Sequence, residues 1–278
     1  MQRSIAKNTA YMTTASIFQK VVAFVYFTYV ARTIGVEDMG KYTLALSFTT
    51  IFVVFVDLGF TNVLIREAAR YRDRLQAYFS TVLSIKFIFG ILTYGAAILT
   101  VHLMGYEPEI RHLVYLSAVT MLFDSFHLSV YGTIRAIGDL RWEAAAMFGS
   151  QLTTLVLGVI FLHLGLPIIY LILAFTIPSG INLLYSLTVA RAKFGVYFRP
   201  KYDKAIFKAL GIIAIPFAIT AIFSRVYSYI DAILLSKLVD TASVGLSSIA
   251  TKITFSFQFL PLALLAALYP SFSEYFQT

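Results

Sequence analysis

The sequence predicts an all-α polytopic membrane protein of about eight transmembrane helices, arranged as one six-helix lobe followed by the first two helices of a second. Three observations predict it. Hydrophobic residues make up 59% of the chain and charged residues only 13%, with a mean hydropathy of +0.80. A soluble domain carries about 45–50% apolar and about 25% charged residues, and a soluble fold of 278 residues cannot hide that surplus from water. The apolar residues gather in eight runs, each near the ~20 residues that a hydrocarbon core of ~30 Å demands. Finally, the first two runs recur in the seventh and eighth at a fixed offset.

The runs follow in order. A polar, basic start from Met1 to Lys7 precedes the first, 10–31, which is too long for a signal peptide. The second, 42–65, follows the turn-rich IGVEDMG; the third spans 78–101; the fourth, 113–134, follows GYEPE. The fifth, 143–163, follows IGDLR, and LGLP separates it from the sixth, 167–190. The seventh covers 207–235 and the eighth 245–269. Neither a soluble domain nor a long linker interrupts them. Residues 1–200 therefore form the N-terminal lobe, and 201–278 begin a second, incomplete one. Pro178 with Gly180, Pro216 and Pro261 interrupt the sixth, seventh and eighth runs. Each proline removes a backbone hydrogen bond and kinks its helix, as a static bend or as a point of flexing.

Charge gives the orientation. Fourteen of the 22 basic residues fall on one set of termini and loops, with Arg66, Arg70, Arg72 and Arg74 in one and Arg191, Lys193, Arg199, Lys201, Lys204 and Lys208 in another. The opposite set holds four: Arg32, Lys41, Arg111 and Lys237. Short Lys/Arg-rich loops stay cytoplasmic, so the N-terminus is expected in the cytoplasm of a multi-pass cell-membrane protein. The net charge of +8 is thus a topology signal and a contact for anionic headgroups, and nucleic acid is not an expected partner.

Sliding the chain by 205 residues sets Ile17, Phe18 and Val21 on Ile222, Phe223 and Val226, and Gly40, Ala45 and Thr49 on Gly245, Ala250 and Thr254. Lys20 falls on Arg225 and Arg32 on Lys237 without a gap. A repeat of like orientation after six helices implies a second bundle begun on the plan of the first.

Seven ionisable residues lie well inside the runs: Lys20, Asp57, Lys86, Asp124, Arg225, Asp231 and Lys252. A charge at a helix centre costs about 2.5–3.5 kcal/mol on insertion scales, so it faces a bundle interior or a wet cavity. Helical spacing agrees. Lys20 shares its face with Thr13, Ser16 and Ala23; Arg225 with Ala218, Ala221 and Ser228; Lys86 with Gly90 and Thr93; Lys252 with Gly245, Ser248 and Ser256. These four cations are the candidate substrate-binding set, against the plainer readings of snorkelling stems and ordinary small-residue packing. Asp57, Asp231 and the pair Asp124 and His127 are candidates for ion coupling or structural ion pairs, and Asp124 with His127 fits a proton relay or a hydrogen-bonded strut equally. Tyr26, Tyr131 and Tyr229 are the aromatics placed to stack on a sugar.

Cysteine is absent, which excludes disulfides and thiolate chemistry. No phosphate-binding Gly-rich loop, paired-histidine metal motif or nucleophile elbow is present. The expectation is a protein that is not an enzyme, needs no cofactor or metal, and draws on an ion gradient, membrane potential or substrate gradient.

The segment from Ala31 to Arg70 carries A-R-x-x-G-x-x-x-x-G-x-Y from Ala31 to Tyr42, then Asp57-Leu58-Gly59, then Ile65-Arg66-Glu67. In these it resembles the polysaccharide-biosynthesis flippases of the multidrug/oligosaccharidyl-lipid/polysaccharide exporter superfamily, and the stretch from Asp231 to Glu274 is similar to the start of that family's second lobe. The resemblance implies two six-helix lobes packed as a V around a cavity, with lipid-linked oligosaccharide moved by alternating access. Polysaccharide-assembly machinery is then a further expected partner. The chain ends after the eighth run, as a C-terminally truncated relative would. Lys20 and Arg225 are expected to face each other across the cavity and hold a substrate phosphate. A multidrug-type cation antiporter, a membrane enzyme acting on the same lipid-linked sugars, and a non-transporting component of envelope polysaccharide synthesis are the alternatives.

Overall fold

In a computed structural model, which describes residues 5–256, the chain is helical throughout, with no strand among the described residues. The helices are α1 (Ile5–Thr33), α2 (Gly35–Asp57), α3 (Phe60–Arg70), α4 (Leu75–Leu103), α5 (Pro108–Ile137), α6 (Arg141–His163), α7 (Ile169–Phe194), α8 (Lys204–Leu238) and α9 (Thr241–Ser256), with a single 3₁₀ turn at Arg72–Arg74 before α4. Seven of these are long and apolar enough to cross a membrane. The protein is an all-α polytopic membrane protein. The remainder of the eighth run, with Pro261, lies outside the described residues.

The first, third to sixth and seventh runs become α1, α4 to α7 and α8. The second does not stay whole. Its helix stops at Asp57, because Leu58 (φ 42°) and Gly59 (φ 79°) both take left-handed backbone before α3 begins. Glycine adopts that conformation freely, whereas at Leu58 it costs about 1–2 kcal/mol. Gly59 is required twice over: a Cβ there falls 2.7 Å from Cβ of Phe217 on α8. Beyond the break, α3 is a two-faced helix. It buries Phe60, Val63, Leu64 and Ala68 and exposes Asn62, Arg66 and Arg70.

The first seven helices pack in a ring of neighbours, α1 on α6, α6 on α7, α7 on α5, and α5 on α2, α3 and α4. The α8–α9 pair docks on the other side of α2. As the shared element, α2 is the most buried of the seven spanning helices and α8 the least. Lipid supplies no hydrophobic force between helices, so close backbone approach and hydroxyl pairs do the joining. Thr49 meets Ser117 at 2.7 Å between α2 and α5, and Thr120 meets Thr176 at 2.6 Å between α5 and α7. Large apolar side chains such as Leu92, Phe223 and Leu184 stay exposed on the outer faces, where lipid covers them.

The repeat is visible as a contact. A Cβ at Gly40 falls 1.7 Å from the carbonyl oxygen of Thr241, and a Cβ at Gly245 falls 2.1 Å from that of Val36. An offset of 205 turns one contact into the other. Thus α2 and α9 cross at a near-symmetric point where both backbones touch, and only glycine fits on either side.

Candidate functional site

Between α1 and α2 on one side and α8 and α9 on the other lies a cavity of about 530 Å³. The repeat lays out its walls. Ala23, Tyr26, Phe27 and Val30 on α1 correspond to Ser228, Asp231, Ala232 and Leu235 on α8, and all eight line it. Thr43, Ser47 and Thr50 on α2 correspond in the same way to Ser248, Lys252 and Phe255 on α9. Gln151 of α6 and Phe175 of α7 complete the first-lobe side. Toward the Gly40–Gly245 crossing the lining turns apolar: Val30, Ala232 and Val244 join one packed cluster with Met39 and Tyr42.

The sequence candidates fall into three places. Lys252 and Asp231 both line the cavity. Lys252 sets its Nζ over the Phe27 ring, 5.3 Å from the centroid, a cation–π contact across the α1–α9 seam. Lys20 and Arg225 continue the lining faces of α1 and α8, one helical turn short of Ala23 and Ser228, and are exposed. Neither forms part of the lining itself, and neither makes an ion pair or hydrogen bond among the described residues. No contact between the two is seen.

Lys86 is elsewhere. It is fully buried, with Nζ 2.7 Å from Asp57 Oδ1, 2.7 Å from Ser129 Oγ and 2.7 Å from the Ser125 carbonyl oxygen, and 3.2 Å from Thr61 Oγ1. Thr61 also donates to Asp57. This ion pair ties α4 and α5 to the α2–α3 break, and Lys86 takes no part in the cavity lining. Asp124 and His127 form their expected pair on α5, at 3.1 Å, also away from the cavity. His127 stacks edge-on to Tyr131, whose hydroxyl donates to Asn182 at 2.5 Å. Tyr26 and Tyr229 line the cavity as aromatics, and Tyr131 does not.

Among the lining residues that the sequence reading does not single out are Tyr42, Gln151, Phe175 and Thr251. Thr251 is the repeat mate of Leu46, also in the lining, so the offset alone signals it once one wall is known. Gln151 is a lone amide in an apolar run, which periodicity does not flag.

The chain as a whole, cavity-lining helices included, can now be set beside known proteins. The family model described as "Polysaccharide biosynthesis protein" matches residues 5–276. The chain belongs to the polysaccharide biosynthesis protein family. One solved structure, of a chain called "protein A", superposes with a TM-score of 0.67 at 15% identity, covering 94% of this chain and 64% of that one. This chain therefore spans less than two thirds of the solved chain it matches, and at that identity the likeness is one of fold. No curated protein matches. Within the family, the cavity between α1–α2 and α8–α9 is this member's candidate site.

Proposed function

We propose that this polysaccharide biosynthesis protein is a flippase that carries polyprenyl-(pyro)phosphate-linked oligosaccharide across the cytoplasmic membrane by alternating access, without catalysing a covalent step. The carrying observation is Lys252 in a hydroxyl-rich cavity between two repeat-related helix pairs. A sugar pyrophosphate is too polar to cross ~30 Å of hydrocarbon unaided. A cation on the wall of a cavity that also carries hydroxyls offsets its charge with charge-assisted hydrogen bonds, while the polyprenyl tail stays in lipid. Lys20 and Arg225, exposed one turn beyond the lining, add positive potential along the approach. With the basic loops cytoplasmic, the apolar Gly40–Gly245 crossing lies at the outer end, and the cations lie toward the cytoplasm where substrate is made. Residues 1–200 act as one lobe and 201–278 as the start of the second.

Asp231 favours a second reading, a cation antiporter, because a cavity carboxylate attracts organic cations. Drug-accumulation assays separate it from the first. The principal test is glycan export in cells that depend on this protein. Lys252→Ala is expected to abolish export with protein level unchanged, and Lys252→Arg to retain most of it. Lys20→Ala and Arg225→Ala are expected to slow export less. Undiminished export by Lys252→Ala rejects the mechanism.

A further inference from the structure

We propose that Tyr106, in the turn between α4 and α5, and Lys237, at the end of α8, form a latch that holds the cavity shut at the Gly40–Gly245 end, and that α8 bends at Pro216 when the latch opens. This deepens the flippase reading and rests on it for what the latch does to export. Lys237 lays its Nζ over the Tyr106 ring, 3.7 Å from the centroid, and donates to the Met104 carbonyl oxygen. The Tyr106 hydroxyl meets Ser236 Oγ at 2.7 Å. Ser236 already donates to the Ile233 carbonyl oxygen, so Tyr106 is the donor in that bond. The turn is itself braced, with Arg111 Nε donating to the Tyr106 carbonyl oxygen at 2.5 Å. The α4–α5 turn, part of the first lobe, thus grips two successive residues at the tip of α8. The grip is one-sided. Ala31 and Arg32 of α1 stand in the repeat where α8 has Ser236 and Lys237, yet Arg32 is exposed and makes no ion pair or hydrogen bond among the described residues.

The latch lies on the closed end of the cavity. Tyr106 is buried in the same apolar cluster as Val30, Met39, Tyr42, Ala232 and Val244. Lys237 is exposed, and there a cation–π contact and single hydrogen bonds form and break readily. Because α8 is the least buried of the spanning helices, a grip on its tip matters to where it stands. Toward its start α8 is fixed more tightly. Gly59, in the break after α2, lies so close that a Cβ there falls 2.7 Å from Phe217 Cβ and 3.1 Å from the Ala214 carbonyl oxygen. Pro216 sits between those two contacts. Its ring leaves the Ile212 carbonyl without a helical partner, and a helix bends most easily at such a point. From Phe217 to Lys237 is 20 residues, about 30 Å at 1.5 Å per residue, so a tilt of about 10° at Pro216 moves the tip by about 5 Å. That displacement draws the wall that carries Asp231, Ala232 and Leu235 away from α1 and α2, and the cavity opens at the latched end.

The test places a single cysteine on the cavity wall, Thr43→Cys, in the full chain and applies an impermeant maleimide from the side where α1 ends. Lys237→Met is expected to raise the labelling rate about fivefold. Lys237→Arg keeps a cation over the ring and is expected to label at the parent rate. Pro216→Ala added to Lys237→Met is expected to bring labelling back toward the parent rate. Unchanged labelling in Lys237→Met overturns the latch, and a rise that survives Pro216→Ala overturns the bend. A second arm joins Tyr106→Cys to Ser236→Cys with a short bifunctional thiol reagent that a reductant releases. Locking the latch is expected to stop glycan export, and reduction to restore it. Export at the parent rate from the locked protein overturns the latch as a gate. No glycan export by the wild type, with labelling still raised in Lys237→Met, overturns the flippase reading and leaves the latch standing as a closure of the cavity.

Discussion

Lys86 shows how a charge inside an apolar helix is used to shape the fold. It has no exposed surface, and its ammonium donates to Asp57, Thr61, Ser129 and the Ser125 carbonyl. The sequence reads it as an inward-facing candidate for substrate binding, because Gly90 and Thr93 share its face; the structure turns it inward but into an ion pair outside the cavity. The sequence does not identify the partner, since Asp57 is 29 residues away and the bend that brings the two together lies within a continuous apolar run. Truncating one member of a buried pair strands the other, at about 3–5 kcal/mol; with Asp57 still 27% exposed, the low end applies. Lys86→Met is therefore expected to cost about 3 kcal/mol in thermal or denaturant unfolding in detergent. Adding Asp57→Asn to Lys86→Met is expected to recover part of the loss, with a coupling of about 1–3 kcal/mol in the double-mutant cycle. Simple additivity of the two variants is the result that refutes the pair.

At the scale of elements, α2 couples the two halves, packing on α4 and α5 along one side and on α8 and α9 along the other. Its crossing with α9 is set by Gly40 and Gly245, and both matter because the opposing atoms are backbone carbonyls that have nowhere to go. Gly40→Leu is thus expected to force α2 and α9 apart at this end of the cavity. The chain contains no cysteine, so a single Thr43→Cys or Ser248→Cys on the cavity wall reports access without background. In the Gly40→Leu protein, an impermeant maleimide applied from the side where α1 ends is expected to label either cysteine several times faster than in the parent. Unchanged labelling refutes the crossing as a seal. The two glycines are legible in the sequence as identities in the repeat, but an offset along the chain does not say which helix faces meet. The break after Asp57 is not legible from hydropathy, which runs on through Leu58 into α3; only the local Asp-Leu-Gly hints at it.

At the scale of the whole molecule, the sequence carries the all-α, multi-span architecture well, because span length is a property of the linear chain, and the 205-residue offset marks α1–α2 and α8–α9 as related pairs. It carries the site less well. Lys252 and Asp231 are found by their charge, whereas Gln151 and Phe175 reach the cavity from α6 and α7, outside the repeat mates, and only tertiary packing places them there. What composition does mark at this scale is a difference in charge between the two ends of the bundle. Arg70, Arg72 and Arg74 stand exposed at one end of α3 and α4, and Arg199 and Lys201 stand exposed in the α7–α8 connection; Gln76 of α4 binds the backbone of Tyr197 in that same connection at 2.6 Å. This couples two basic segments into one face, on which these five exposed cations outnumber the exposed carboxylate of Asp73. The opposite face places Glu107 and Glu109 at the start of α5, with Glu109 paired to Lys41 at 2.8 Å. Positive loops resist translocation, and on that rule the basic face is proposed to be the cytoplasmic one. In intact cells an impermeant maleimide is therefore expected to label Glu107→Cys and to miss Asp73→Cys, and in inside-out vesicles the pattern is expected to reverse. Labelling of Asp73→Cys in intact cells inverts the proposed orientation, and with it the side from which the proposed anionic cargo reaches Lys20, Arg225 and Lys252.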